Sequence, residues 1–187
     1  MQNSGRDRII EEFNDLSKNP IAIPNKGLTV ELFDNNDPTK WRVTIVGPKD
    51  TPYEGGFFNL LVAFPPNYPQ KPPEVYFLTP IYHANINHRA PSSPGSQQLG
   101  HVNISILNWW QPEYRMRELF TNIFALFYMA NPTRPHCADE SDKIKELSFN
   151  RELYEKKVKY FTQKYANPSD KRYKRDKDWN FDYPNNA

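Results

Sequence analysis

The sequence has few of the residues and patterns on which several functional classes depend. One cysteine, Cys137, stands among 187 residues, which excludes an internal disulfide and a zinc site built from several cysteines. No apolar run approaches the ~20 residues that a membrane-spanning helix needs, and the first residues lack the hydrophobic segment of a secretory signal. We therefore expect a protein without a membrane span that is located in the cytoplasm or the nucleus. A location in an organelle, as part of a larger complex, stays open as the alternative.

The chain also has no large excess of charge of one sign. The 24 basic and 22 acidic side chains leave a net charge of +2, whereas a nucleic-acid-binding domain concentrates basic residues on one face. The chain has no glycine-rich phosphate loop and no Ser/His/Asp set, and its four histidines lack the spacing of metal ligands. The sequence therefore predicts no nucleic-acid partner, no cofactor and no metal.

Proline is abundant and glycine is scarce, with 18 prolines against 7 glycines. Proline lacks a backbone donor and fixes φ, so these residues belong in loops, at sheet edges and at helix starts. Proline-rich loops hold extended backbone rigid at a low cost in conformational entropy. A rigid surface of this kind suits docking of a protein better than enclosure of a small molecule.

An amphipathic pattern predicts an N-terminal helix over residues 6–17. Apolar side chains recur at three- and four-residue spacings, and charged side chains are assigned to the opposite, solvent-facing side. The apolar set is Ile9, Ile10, Phe13 and Leu16, and the charged set is Arg6, Asp7, Glu11, Glu12 and Asp15.

Four short strands are expected next, separated by turn-forming stretches. They cover residues 28–33, 41–47, 57–64 and 74–78. Regular strands at this spacing indicate an antiparallel meander. The periodic pattern is then lost from residue 79 to residue 113, where the polar stretch 88–100, rich in Ser, Pro and Gly, indicates an inserted loop.

Helical patterns return over residues 113–129, 139–148 and 150–166. The first is apolar nearly all round, so we expect it to be buried in the core. Strands grouped together with helices at both ends predict an α+β fold. Residues 1–166 are assigned to one domain, and residues 167–187 to a charged, aromatic C-terminal tail.

Several stretches occur in the order and at the spacing of a known family. They are "IVGPKDTPYEGGFFNL", "FPPNYPQKPPEVYF", "IYHANIN" and "WWQP…NP". From about residue 6 to residue 166 the chain resembles the ubiquitin-conjugating enzyme fold. The resemblance implies an N-terminal helix, a four-stranded antiparallel meander, a long irregular loop in the active-site region, a central buried helix and two C-terminal helices.

The resemblance also implies where the chemistry would lie. Enzymes of this family carry ubiquitin, or a similar modifier, as a thioester on one cysteine, which requires a thiolate nucleophile. An asparagine of an HPN-type motif is assigned the role of donor to the oxyanion. That motif reads His83-Ala84-Asn85 here, Asn103 occupies the cysteine position, and Ser105 replaces an aspartate.

A carboxamide cannot form a thioester, because its nitrogen lone pair is delocalised and its oxygen is a poor acyl carrier. The resemblance therefore predicts a pseudoenzyme. A Cys→Asn trap made by engineering is disfavoured, because such a trap changes one residue and here the neighbouring positions depart too.

Three further departures agree with loss of catalysis. The connection from Asn85 to Asn103 is longer than the usual family loop by roughly ten residues, and loops of that length are commonly functional or disordered. Arg134 stands where the family has an acidic residue beside the approaching lysine, and it would repel the lysine ammonium. Gln70 stands where ligase-binding members often have an aromatic residue.

The retained pair His83 and Asn85 has two interpretations. Asn85 could still donate to an oxyanion, but we favour a structural role in which both side chains bond the irregular backbone of the loop. Cys137, helped by His136, remains an alternative nucleophile, since the family pattern places it just after the "NP" loop near the mouth of the site. We expect Cys137 to be an ordinary thiol at the junction of a loop and a helix.

Three functions are weighed. The first is a non-catalytic variant that binds ubiquitin or an active conjugating enzyme. The second is a structural adaptor that reuses the fold in a larger assembly without a ubiquitin role, and the third is an active enzyme that uses Cys137. Partner binding is assigned to residues of the loops and the tail, namely Gln70, Trp110, Pro112, Trp179, Phe181 and Tyr183.

The three tail aromatics, Trp179, Phe181 and Tyr183, stand at alternate positions, so an extended segment would present them on one side. Such a segment can add to the sheet edge or the pocket of a partner. Alternatively, the aromatic side chains can fold back onto the parent domain, and both alternatives stay open at this stage.

Overall fold

One helix precedes a run of four strands, and further helices follow them. The computed structural model describes residues 4–23, 27–34, 37–87, 99–130 and 140–167. The elements are α1 (Ser4–Lys18), β1 (Leu28–Asp34), β2 (Asp37–Val46), β3 (Phe57–Ala63), β4 (Glu74–Phe77), α2 (Ser105–Asn108), α3 (Met116–Leu126), α4 (Glu140–Phe149) and α5 (Arg151–Tyr165). The predicted α+β class, with an N-terminal helix, four antiparallel strands and C-terminal helices, is confirmed.

The strands form one antiparallel sheet in the order β1-β2-β3-β4. Side chains alternate between its two faces because successive residues of a strand point to opposite sides. On β2, Trp41, Val43 and Ile45 are fully buried, whereas the residues between them are only partly covered. One face of the sheet therefore carries the core.

Trp41 lies at the centre of that core. Its ring contacts Phe13 of α1 edge-on, with centroids 5.4 Å apart, and Phe64 after β3 at 4.7 Å. Phe120 of α3 lies 6.5 Å away. Because aromatic side chains each bury a large apolar area, this cluster fixes α1 and α3 on the same face of the sheet.

Helix α1 corrects the predicted division between its two faces. Ile10, assigned to the apolar side, is 40% exposed, and Glu12, assigned to solvent, is only 5% exposed. The covered side chains of α1 include Ile9, Glu12, Phe13 and Leu16. A carboxylate thus lies inside the interface, and it requires polar partners there.

Helix α3 is shorter and more one-sided than predicted. It begins at Met116 rather than near residue 113, and it ends at Leu126. Its buried face is Met116, Leu119, Phe120, Ile123 and Leu126, while Glu118, Thr121, Asn122 and Ala125 are exposed. The helix therefore packs against the core, as predicted, and it also presents one polar face to solvent.

A short helix lies within the segment 79–113, where no element was predicted. His101 and Val102 make isolated bridges to Tyr76 and Ile86, and the chain then turns into α2 at Ser105. Ile106 and Leu107 of this helix pack against the core. α2 was not predicted, because a helix of four residues is too short to leave a helical pattern in the sequence.

The segment 99–102 covers the outer edge of β4. Phe77 N donates to Gly100 O at 2.8 Å, and Val102 N donates to Val75 O at 3.0 Å. Gly100 has a φ of 78°, which favours glycine, and a Cβ here would collide with the Phe77 carbonyl.

None of the helices in the described residues has both the length and the apolar composition needed to cross a bilayer.

Candidate functional site

The loop that carries Asn85 and the segment that carries Asn103 are joined through their backbones. Asn103 N donates to Asn85 O at 2.9 Å. In return, the side-chain amide Nδ2 of Asn85 donates to Asn103 O at 2.9 Å. The structure therefore brings the two residues singled out in the sequence into direct contact.

The side chain of Asn103 lies under the end of α2. It is 6% exposed, and its Oδ1 accepts a hydrogen bond from Asn108 Nδ2 at 3.0 Å. A thiol at this position would be only a weak acceptor. Ser105, the residue at the aspartate position, is exposed at the start of α2. Asn108 was not singled out in the sequence, and only its position five residues after Asn103 at the end of the apolar run could have suggested it.

His83 is buried and bonded at both ring nitrogens. Its Nδ1 accepts from Asn85 N at 2.9 Å, so the ring is neutral with the proton on Nε2, which lies 3.0 Å from Leu126 O. The pKa of His83 is lowered from 6.5 to about 4. Burial is the largest cause, the hydrogen bond to the Leu126 carbonyl opposes it, and the nearby Lys143 cation adds to the lowering. A neutral histidine held by backbone groups acts as a structural connector between the loop and α3.

Helices α4 and α5 complete the hydrogen bonds of the same loop. Lys143 of α4 is 1% exposed, and its Nζ donates to His83 O at 3.3 Å and to Ile86 O at 3.2 Å. The hydroxyl of Tyr154, on α5, accepts from Ala84 N at 3.2 Å. Lys143 was not predicted to be buried, because a lysine in a helical pattern is normally assigned to the exposed face.

This arrangement satisfies the backbone groups of residues 83–86 with buried side chains. Among the described residues the site holds amides, a neutral imidazole and an ammonium group, and it holds no thiol. Within the same residues there is no cluster of three or more His, Cys, Asp or Glu side chains that could hold a metal ion. The geometry is that of a hydrogen-bonded loop anchor.

Asn85 provides a direct test of this structural role. Asn85→Ala leaves the buried carbonyl of Asn103 without its side-chain donor, so we expect unfolding to become easier by about 1–3 kcal/mol. Urea denaturation measures the change. Asn122→Ala is the matched control, because Asn122 Nδ2 also donates to a backbone carbonyl, that of Glu118, but on an exposed surface. It should change stability by no more than about 0.5 kcal/mol, and equal effects of the two variants would contradict the prediction.

Trp110 joins the segment that follows α2 to the loop that follows β3. Its indole Nε1 donates to Pro69 O at 2.7 Å, and the ring is half-buried. Gln70 is exposed and Pro112 is half-buried. The neighbouring Trp109, which the sequence did not single out, is 67% exposed. Trp110 therefore fixes the two loops, while Trp109 presents its ring outward.

The other predicted site residues lie outside the described residues. These are Arg134, Cys137, Trp179, Phe181 and Tyr183, together with most of the inserted loop, residues 88–98. Their assignments stay predictions.

The comparison with known families agrees with this geometry. The model of the family described as "Ubiquitin-conjugating enzyme" matches residues 8–162. The match contains most of α1, the whole sheet, the Asn85–Asn103 contact and nearly all of α5. The chain therefore belongs to the ubiquitin-conjugating enzyme family.

Proposed function

We propose that this chain is a non-catalytic member of the family that binds ubiquitin, an active conjugating enzyme or another protein partner through the surfaces of the fold. The observation that carries the proposal is Asn103. It stands at the position that the family pattern assigns to the thioester cysteine, and a carboxamide cannot carry an acyl group.

The surroundings of Asn103 support a structural role for it. Its backbone pairs with Asn85 in both directions, and its side-chain oxygen accepts from Asn108. Each of these groups is engaged in holding the loop to α2. An asparagine fits these contacts, so the residue matches its environment in the fold.

The partner surface that we propose is formed by the two loops joined through Trp110. Trp109 and Gln70 are exposed on it, and Pro112 flanks them. A tryptophan at an interface buries a large rigid surface and often dominates the binding energy. Since Trp110 is held by Pro69, the surface is prepared for binding without a large loss of conformational entropy.

A structural adaptor without a ubiquitin role is the second candidate. It is favoured by Gln70, which replaces the aromatic residue typical of ligase-binding members, and by the length of the loop between Asn85 and Asn103. This function predicts that the chain occurs in a stoichiometric set of unrelated subunits.

A charging assay tests the loss of catalysis. The full chain is incubated with ubiquitin-activating enzyme, ubiquitin and ATP, and we expect no adduct that a reducing agent cleaves, because no acyl carrier stands at position 103. A parallel reaction contains the Cys137→Ala variant. A reducible adduct that forms on the native chain and disappears in Cys137→Ala would overturn the proposal and identify Cys137 as the nucleophile.

A binding assay tests the partner surface. Isotope-labelled ubiquitin and a catalytically active conjugating enzyme are titrated separately with the full chain, and we expect one of them to bind. Trp109→Ala should weaken that binding about fivefold or more, the loss expected for an interface tryptophan, and Asn122→Ala on the outer face of α3 is the control. Absence of binding to both proteins would favour the adaptor.

A further inference from the structure

A groove runs along α5, between that helix and the connection from β2 to β3. Its larger part has a volume of 570 Å³, and an adjoining part of 270 Å³ shares several lining residues with it. The shared residues are Pro52, Phe127, Tyr128, Arg151 and Glu155. The two parts therefore form one continuous depression on the surface.

The end of the groove near the start of α5, called the apolar end here, exposes large apolar side chains, and Arg151 and Glu155 line it as well. Tyr128 is 55% exposed and Met129 is 75% exposed, and Leu147 lines the same part. Exposed apolar side chains grouped at a concave surface mark a place where another segment binds.

The end near the last turn of α5 is polar. Thr162 and Gln163 line it, together with Asp50 and Glu54. These two carboxylates line only the larger part of the groove. The groove thus has an acidic end at Asp50 and Glu54 and an apolar end at Tyr128 and Met129. Arg151, Glu155 and Lys159 stand along its helical wall, and Lys159 lines the larger part only.

The C-terminal tail leaves the described domain at the acidic end. Phe57 N donates to Ala166 O at 2.9 Å, which fixes the exit of the chain beside the start of β3. From there α5 is 15 residues long, or about 22 Å at the rise of an α-helix. The eleven residues 168–178 can span up to ~36 Å when extended, so the aromatic stretch that begins at Trp179 reaches the apolar end with slack.

The order of side chains in the tail matches the order of surfaces in the groove. Residues 171–177 read "KRYKRDK", and residues 178–183 read "DWNFDY". A chain that turns back along α5 would bring the basic stretch past Asp50 and Glu54 first. It would then place the aromatic side chains at the apolar end and the two aspartates within reach of basic groups on α5.

We propose that residues 168–187 occupy this groove in their own chain, with Trp179, Phe181 and Tyr183 packed against the apolar end beside Tyr128 and Met129. The occupant is the chain's own tail because the tail begins at the groove, is long enough to fill it and carries complementary charge in the matching order. This inference is independent of the proposed function, since it concerns neither position 103 nor the loops around Trp110.

Disulfide formation between engineered cysteines tests the proposal. In a Cys137→Ala background, one full-length protein carries Met129→Cys and Asn180→Cys, and a control carries Lys71→Cys and Asn180→Cys. Lys71 is exposed in the loop after β3, at the opposite end of that strand from the tail exit. Both cysteine pairs are also made in a chain with Trp179, Phe181 and Tyr183 replaced by alanine. This chain shows how fast each pair forms its disulfide when the tail is not docked.

The quantity compared is the rate of intramolecular disulfide formation of the Met129→Cys/Asn180→Cys protein divided by the rate of the Lys71→Cys/Asn180→Cys protein. We expect this ratio to fall about tenfold or more when the three aromatic residues are replaced. A tenfold fall corresponds to a docking energy of about 1.4 kcal/mol. An unchanged ratio would overturn the proposal and leave a partner protein as the candidate occupant. Disulfide-linked dimers whose yield rises with protein concentration would overturn it in favour of a second copy.

Discussion

Replacing Glu12 by alanine should make unfolding easier by about 3 kcal/mol, because the carboxylate is buried and bonded to charged and backbone donors at once. Its Oε1 accepts from Arg8 Nε and from the Tyr68 hydroxyl, both at 2.8 Å. Its Oε2 accepts from Met116 N at 2.6 Å, at the start of α3, where a negative charge also complements the helix dipole. One side chain thus connects α1, the loop after β3 and α3.

Thermal and urea denaturation measure this effect, and about 3 kcal/mol corresponds to a fall in Tm of about 6–12 °C for a chain of this size. Glu12→Gln should cost less than Glu12→Ala, since one amide oxygen can still accept. The matched control is Glu11→Ala, because Glu11 is 69% exposed and, within the described part of the chain, pairs only with Arg115, at 3.4 Å. A Glu12→Ala protein as stable as the Glu11→Ala protein would refute the bridging role.

Acidification should destabilise the domain through His83 by about 3 kcal/mol between pH 7 and pH 4. The pKa of His83 is lowered from 6.5 to about 4 in the folded protein, with burial as the largest cause. A pKa that is lower in the folded state means that the unfolded state binds the proton more readily. The stabilisation is therefore complete above pH 6.5 and is lost as the pH falls through 4.

The measurement compares urea denaturation of the native chain and of His83→Gln at pH 7, 6, 5 and 4. Glutamine does not titrate, so the stability advantage of the native chain over the variant should shrink as the pH falls. Ile86→Val, a buried truncation in the same loop, is the control, because its cost should be the same at each pH. Parallel pH profiles for the native chain and His83→Gln would rule out the titration of this histidine.

The sequence predicted most of the secondary structure because periodicity reports which face of an element is buried. The four strands were placed to within a few residues, apart from β2, which begins at Asp37 rather than at residue 41. Its first residues are stabilised locally, since Thr39 bonds the Asp37 side chain and Trp41 Nε1 donates to Pro38 O. Such local contacts leave no periodic signal.

Buried charged residues escaped prediction for a different reason. Glu12 and Lys143 were invisible as core residues because charged side chains are normally assigned to solvent. For Glu12 the spacing held a clue, since it stands three residues after Ile9 and four before Leu16 on the covered side of α1. The partners of Lys143 are backbone carbonyls of a loop that lies 60 and 57 residues earlier in the chain. No local sequence pattern encodes such a distant contact.

The candidate site was predicted in part. The family resemblance placed Asn85 and Asn103 in one site, and the structure joins them by two hydrogen bonds. The contact of Asn103 with Asn108 depends on α2, which was not predicted, and the different roles of Trp109 and Trp110 depend on the fold of two loops. Side-chain direction in irregular segments follows from tertiary packing, so the sequence pattern could not provide it.

The strand-like segment beside β4 has a consequence for how copies of the domain behave at high concentration. With Gly100 and Val102 bonded to β4, that border of the sheet is already occupied, and β1 forms the other border. β1 has an irregular register between Leu32 and Asp34 and an outward Glu31, features that discourage strand-to-strand stacking of neighbouring molecules. The sheet is therefore protected against fibrous self-association at both edges, by the backbone hydrogen bonds of residues 100 and 102 at β4 and by a charged side chain and an irregular register at β1.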